Sequence, residues 1–242
     1  GKVGSFFNWH PESEVNERTN LYYVQTQDQG KTWSTVEGQV LDLPLNRVDN
    51  PALVIDYHAQ GRLLHTCDLQ FDAAGHPILL YVCSCDGNPG PQGDPREFRV
   101  THWDGQEWQT HIIAPTTHNY DMGSLYIDGA VWRLIAPTDP GPEPMGTGGE
   151  VVVWESQDTG QHWERMQTVT ASSQSNHSYM RRPIAAKDPF YAFWADGDSR
   201  ELGASHLYFC DSTGREVYQL PYSMSRAFAK PQPYPASDEG AK

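Results

Sequence analysis

Short apolar segments, four or five residues long and rich in β-branched or aromatic side chains, recur from one end of the chain to the other. Leu21–Val24, Ile78–Val82, Ser124–Ile127, Val151–Trp154, Tyr191–Trp194 and Ser205–Phe209 are the clearest. Each is bounded by Gly, Asp, Asn or Pro, which predicts antiparallel strands closed by tight turns. No apolar stripe of period 3.6 runs for a useful length, so no long helix is expected. Gly and Pro supply 39 of the 242 residues and are spread along the chain, as in a turn-rich β protein. The pattern predicts an all-β fold.

The turns resemble one another. Thr26–Trp33 and Ser156–Trp163 share the frame [S/T]-x-Asp-x-Gly-x-x-Trp, and looser relatives begin at Asp72, Asp104 and Asp211. In such a frame the Asp carboxylate accepts backbone N–H groups of its own turn, Gly supplies a positive φ, and the Trp packs back on the hairpin. Asp28 and Asp158 are 130 residues apart. That spacing suits two or three repeat units of roughly 40–50 residues, the usual size of a propeller blade. The frame is the Asp box, a hairpin staple, and neither aspartate is assigned a chemical role.

Charge narrows the partners. Seventeen basic against 31 acidic residues give a net charge of −14, which would repel a nucleic-acid backbone, so no nucleic acid is expected. No apolar run approaches the roughly 18–20 residues that span a bilayer, so no membrane span is expected. The chain starts at Gly1 without a leader segment, which reads as a processed protein or a piece of a longer one. Residues 227–242, Pro-rich and then small and polar, read as a tail after a domain over 1–226.

Several clusters could carry chemistry. His65 and Cys67 share the parity of one strand, Cys83 and Cys85 that of the next, around the turn at Asp72–Gly75. An even register would bring all four to one face. That set suits a structural zinc ion; a Cys67–Cys83 disulfide and buried free thiols are the other readings. In Asn176–Pro183, an extended chain places His177, Tyr179 and Arg181 on one side and Arg182 on the other. A His, a Tyr and an Arg on one face suit β-elimination from a uronate: Arg pairs the carboxylate, and His or Tyr moves the proton α to it. His118, Asn119, Tyr120 and Asp121 form a second polar run at a strand entrance, in which His118 and Tyr120 share parity and could work opposite His177 and Tyr179. Trp9, His10 and Arg18 read as a sugar subsite. Glu150 and Asp196 stand at strand ends, where a substrate contact or a hydrolase carboxylate pair could lie.

Longer stretches carry a family likeness. Phe7–Pro11, Arg18–Tyr23, Asn50–Val54, His118–Ser124, Thr147–Glu150, Asn176–Pro183 and Phe193–Gly197 resemble the BNR-4 group of sialidase-like, Asp-box β-propellers. That resemblance implies a secreted or periplasmic bacterial protein acting on an acidic polysaccharide containing uronate and rhamnose. Its relatives include ulvan lyases and rhamnose–glucuronate glycosidases. Lyase chemistry is the leading expectation, with His118, Tyr120, His177, Tyr179, Arg181 and Arg182 as catalytic candidates. Trp9, His10, Arg18, Asn119, Glu150 and Asp196 are the substrate-binding candidates. A glycoside hydrolase on the same glycan, or a non-catalytic glycan-binding or assembly propeller, are the alternatives. The resemblance also favours structural zinc at His65, Cys67, Cys83 and Cys85. Family members typically have seven blades, whereas 242 residues at about 45 each supply about five. A second copy, or blades preceding Gly1, would then close the ring.

Overall fold

The computed structural model describes residues 1–234. Among these residues, sixteen strands form four antiparallel sheets in chain order. Sheet I holds β1 (Val3–Trp9), β2 (Thr19–Thr26) and β3 (Leu53–Ile55). Sheet II holds β4 (Leu63–Phe71), β5 (Pro77–Ser84), β6 (Glu97–Trp103) and β7 (Trp108–Pro115). Sheet III holds β8 (Ser124–Asp128), β9 (Val131–Asp139), β10 (Glu150–Ser156) and β11 (Glu164–Thr168). Sheet IV holds β12 (Asn176–Arg181), β13 (Ala192–Gly197), β14 (Leu207–Cys210), β15 (Val217–Gln219) and β16 (Gln232–Pro233). The strands expected from the hydrophobic pattern lie in β2, β5, β8, β10, β13 and β14.

Each strand pairs with the next in sequence, so every sheet is an up-and-down meander, and the apolar alternation decides how the sheets stack. In β5, Leu79, Tyr81 and Cys83 join Leu21, Tyr23 and Leu64 between sheets I and II. Ile78, Leu80 and Val82 join Phe98, Leu125 and Leu134 between sheets II and III. Burial on both faces explains why this strand reads as one unbroken apolar run. Tyr126, Val151, Trp194 and Tyr208 fill the next interface. The first strands of sheets II to IV come together: Leu125 N donates to Asp68 Oδ2 (3.0 Å) and Met180 N to Met122 O (3.3 Å). This is the radial stacking of propeller blades. Four sheets are present among the described residues instead of about five. The extra residues go into long connections, above all residues 27–52, whose Leu41 and Leu45 cover the outer face of sheet I.

The Asp-box turns form as expected. Asp28 Oδ1 accepts Thr32 N at 3.0 Å, Asp158 Oδ1 accepts His162 N at 2.9 Å, and Trp163 Nε1 donates to Gly160 O. The expected tail is corrected at its start. Gln232 and Pro233 pair with β15, and Tyr234 packs on His177 and Tyr208. The remainder of that segment, residues 235–242, lies outside the described residues. Among the described residues no helix is long and apolar enough to cross a membrane.

Candidate functional site

Strand direction places one set of loops at a common end of the sheets: the β1–β2, β5–β6 and β9–β10 connections, the entry to β4, and the β7–β8 connection. Four of the polar residues singled out in the sequence meet there around one ring. The Tyr120 phenol stands edge-on to His65 (centroids 4.8 Å), tilted to His118 (5.8 Å) and under the Arg18 guanidinium (5.4 Å). Its hydroxyl donates to Asn16 Oδ1 at 2.8 Å. A cation over an aromatic face holds that face by its quadrupole, so Arg18 fixes Tyr120 from above.

His65 is the unusual member. Its side chain is 2% exposed, yet neither Nδ1 nor Nε2 has a hydrogen-bond partner. Burial pushes its pKa down to about 3, and the positive charge of Arg18, His118, His10 and Arg96 pushes the same way. The imidazole is therefore neutral at ordinary pH, with a free nitrogen lone pair. His118 is held differently. The backbone N–H of Tyr120 donates to its Nδ1 (3.1 Å), which places the ring proton of the neutral form on Nε2. Its pKa is also lowered, by burial first and Arg96 second.

Two groups not assigned from the sequence build this site. Asp121, fully buried, accepts Thr116 Oγ1 (2.6 Å), Thr117 N (3.3 Å), His118 N (2.9 Å) and Gly148 N (2.6 Å). It thereby sets the turn that presents His118 and Tyr120. Burial raises its pKa to about 7 against the four hydrogen bonds that lower it. Gly148 has a φ of +88°, and a Cβ there would collide with the His177 carbonyl, so only glycine brings this N–H to Asp121. The buried Arg96 guanidinium donates to Asn119 Oδ1 (2.7 Å) and Gly90 O (2.6 Å). The sole sequence signal for Asp121 was its place at the end of His118–Asp121.

The second expected cluster does not join the first. His177 is 1% exposed; its Nδ1 accepts the Trp194 indole N–H (2.9 Å) and its Nε2 lies 2.9 Å from Ser173 Oγ. Burial lowers its pKa to about 4. It is a bonded core histidine. The expected common face of His177, Tyr179 and Arg181 fails because the β12–β13 register shifts between Ser178 and Arg181, with Tyr179 at φ +59°. Such a bulge reorients the side chains that follow it. Tyr179 is turned out, 51% exposed, with Arg181 stacked over its ring at 5.5 Å. Arg182 faces Asp68 at 3.7 Å, among the first strands of the sheets. His118 Nδ1 lies 3.3 Å from Thr147 Oγ1, whereas His177 meets the same segment through its backbone, bridged to Gly149, with its ring bonded to Trp194 and Ser173. The proposed opposition of the two His–Tyr pairs is thereby corrected.

The remaining candidates sort by their bonds. Glu150 accepts Thr170 Oγ1 (2.6 Å), Ser173 N (2.8 Å) and Ser173 Oγ (2.8 Å). Asp196 accepts Tyr208 Oη (2.6 Å) and His206 N (2.6 Å). Asn119 bonds Arg96 and the Asp86 carbonyl. All three are committed within the fold. Trp9 and His10 remain half-buried at the site's margin, and Trp9 meets His58 edge-on at 5.1 Å.

The Cys₃His set is also corrected. His65 pairs with Val82 and Leu64 with Cys83, an odd register, and a bulge at Cys67 restores Asp68 opposite Leu80. A one-residue shift exchanges the faces of a strand. Cys83 therefore packs between sheets I and II, Cys67 between sheets II and III, and Cys85 is exposed. His65, Cys67, Cys83 and Cys85 do not fit a tetrahedral zinc ion, and Cys67 and Cys83 do not pair. All four cysteines carry free thiols. Among the described residues no group of three or more His, Cys, Asp or Glu side chains is placed to hold a metal.

Fold and site together define an all-β, Asp-box propeller chain with a His–Tyr–Arg cluster on one end of its blades. The BNR-4 likeness read from the motifs is borne out: residues 1–115 match the family described as BNR repeat-containing family member. The ulvan lyase of Alteromonas sp. (strain LOR) is 29% identical over 96 residues, covering 39% of this chain and 19% of that protein. Ulvan Lyase-PL25 of Pseudoalteromonas sp. (strain PLSV) is 22% identical over 157 residues, 64% of this chain and 31% of that protein. A solved PL25 ulvan lyase bound to -[GlcA(1-4)Rha3S]- superposes with a TM-score of 0.66 at 20% identity, covering 87% of this chain and 48% of that one. The chain spans less than half the length of each of these relatives.

Proposed function

We propose that this chain carries the catalytic site of a polysaccharide lyase acting on a uronate- and rhamnose-containing glycan. The observation behind the reading is the convergence of Arg18, His65 and His118 on the Tyr120 ring. In this reading the Arg18 guanidinium and the His118 Nε2–H pair the uronate carboxylate, and so offset the charge that grows on it as the α-proton leaves. The Tyr120 oxygen takes that proton, with the buried His65 imidazole packed against its ring. The electron pair forms the new carbon–carbon double bond, the bond to the glycosidic oxygen breaks, and the Tyr120 hydroxyl protonates the departing oxygen. The likeness to two ulvan lyases supports the same class of substrate. A polymeric substrate of this kind supports a periplasmic or secreted protein.

The hydrolase alternative needs a free carboxylate pair, and Glu150 and Asp196, its candidates, already accept three and two short hydrogen bonds. Incubating the chain with ulvan tests the reading. A lyase leaves an unsaturated uronate absorbing in the ultraviolet, and Tyr120→Phe abolishes the signal. Saturated products would mean hydrolysis, and binding without turnover would mean a glycan-binding propeller; either result overturns the lyase assignment.

A further inference from the structure

Exposed apolar side chains gather at one end of the stack of sheets. In sheet IV the alternation sends Trp194, Tyr208 and Cys210 toward sheet III and leaves Phe193, Phe209 and Tyr218 on the opposite face. Those three are in register across β13, β14 and β15, and Phe190 extends the row. Ring centroids are 5.8 Å apart for Phe190 and Phe193, 5.2 Å for Phe190 and Phe209, and 5.1 Å for Phe209 and Tyr218. None of these four rings belongs to the packed clusters between the sheets. Leu207, on the same face and 48% exposed, leads into a groove of about 500 Å³ lined by Leu220, Tyr222, Met224 and Phe228 of the β15–β16 connection. Phe228 is 90% exposed. A contiguous apolar surface of this kind marks an interface.

The other end of the stack is closed. Leu41, Leu45 and Trp33 cover the outer face of sheet I, so a second copy can complete a ring there only by displacing residues 27–52. Charge separates the two ends further. Residues 1–175 carry nine basic and 23 acidic side chains, whereas residues 176–234 carry seven and six. Like charge therefore opposes contact between copies through sheets I to III and does not oppose it through sheet IV. The face also complements itself end for end. The β15–β16 connection, at the end of the sheets that holds the candidate site, contributes Arg226 and Lys230 and no acid. The β14–β15 turn, at the far end, contributes Asp211 and Glu216 against Arg215. A two-fold axis that turns one copy end for end sets each basic connection against the other's acidic turn, and aromatic row against aromatic row.

We infer that the outer face of sheet IV is a self-association surface, on which two copies of this chain pack face to face about a two-fold axis. The aromatic row forms the apolar centre of that contact, and the charged turns form its rim. Sheets I to III and the connections between them build the Tyr120 cluster, so the inference stands apart from the lyase reading.

Sedimentation velocity of the full chain tests it between about 1 and 100 µM, the range in which a micromolar dimer dissociates. A dimer should grow in with concentration. Leu207→Glu and Phe228→Ser, both at exposed positions, should leave the far-ultraviolet circular dichroism unchanged and raise the dissociation constant about tenfold or more. Val40→Glu, exposed on the segment that covers sheet I, should leave the dimer intact. A monomer over the whole range overturns the pairing, and so does a dimer that Val40→Glu breaks and Leu207→Glu does not. A monomer that pairs only after deletion of residues 235–242 would give the face to that segment and overturn it equally.

Discussion

The Asp121 carboxylate and the Gly148 N–H are 2.6 Å apart, and this contact joins the β7–β8 turn to the β9–β10 loop. Three further donors from Thr116, Thr117 and His118 close on the same carboxylate. Asp121→Asn presents an amide N–H to donors, so at least one buried group loses its partner. The expected cost is about 1–3 kcal/mol of stability. Turnover should fall further than the melting shift accounts for, because the turn carrying His118 and Tyr120 loosens. Urea denaturation beside initial rates checks both.

Tyr120→Phe removes one hydroxyl bonded to the exposed Asn16 and keeps the ring that His65, His118 and Arg18 pack against. Stability should change by less than about 1 kcal/mol. If Tyr120 is the acid, the rate of unsaturated-product formation drops by about 10²–10⁴. A normal rate would remove Tyr120 from the chemistry.

His118 and His177 should respond in opposite ways. His177→Ala strands the buried Trp194 N–H and opens a void beneath Tyr208 and Tyr234; unfolding free energy falls by about 2–4 kcal/mol. His118→Ala, in a half-buried loop, should leave the melting curve nearly unchanged and remove activity. Matched melting and rate measurements on the two variants decide the assignment.

Acid should destabilise the fold well before most carboxylates protonate. His65 and His177 titrate in the folded chain at about 3 and about 4, below the ordinary 6.5. Between about pH 6.5 and 4 they bind protons only when unfolded, so stability falls as pH falls through that window. His102, His111 and His118 shift the same way. Asp121, raised to about 7, opposes them: folded it keeps a proton that the unfolded chain has lost, so its share of stability falls as pH rises. With five histidines against one carboxyl, the melting temperature should rise from about pH 4.5 to 6.5. His177→Gln should flatten that slope and Asp121→Asn steepen it.

Thiol chemistry checks the corrected hairpin. Cys85 is exposed, whereas burial holds the Cys67 and Cys83 thiols up at about 12 and about 11, and Cys210 at about 12. A thiol reagent should label Cys85 rapidly in the native protein and the other three only on unfolding, without prior reduction or chelation. Slow release of two or three thiols by a chelator would restore a metal at the hairpin.

Much of this molecule was legible in one dimension. Strand positions follow from the alternation of apolar residues, and the Asp-box turns follow from Asp28, Gly30, Asp158 and Gly160, because hydrogen bonds within a turn involve only near neighbours. His118, Tyr120 and Arg18 were visible as polar residues at strand entrances. What the sequence could not decide was register and company. Single bulges at Cys67 and at Tyr179 reverse the faces of the residues around them. A bulge is chosen by which face packs better against the next sheet, a sum over residues far away in the chain. The same long-range packing buried His177 beside Trp194 and brought His65, read as a metal ligand, under Tyr120 instead. Local pattern thus determined the blades, and only their stacking determined which histidine meets the tyrosine.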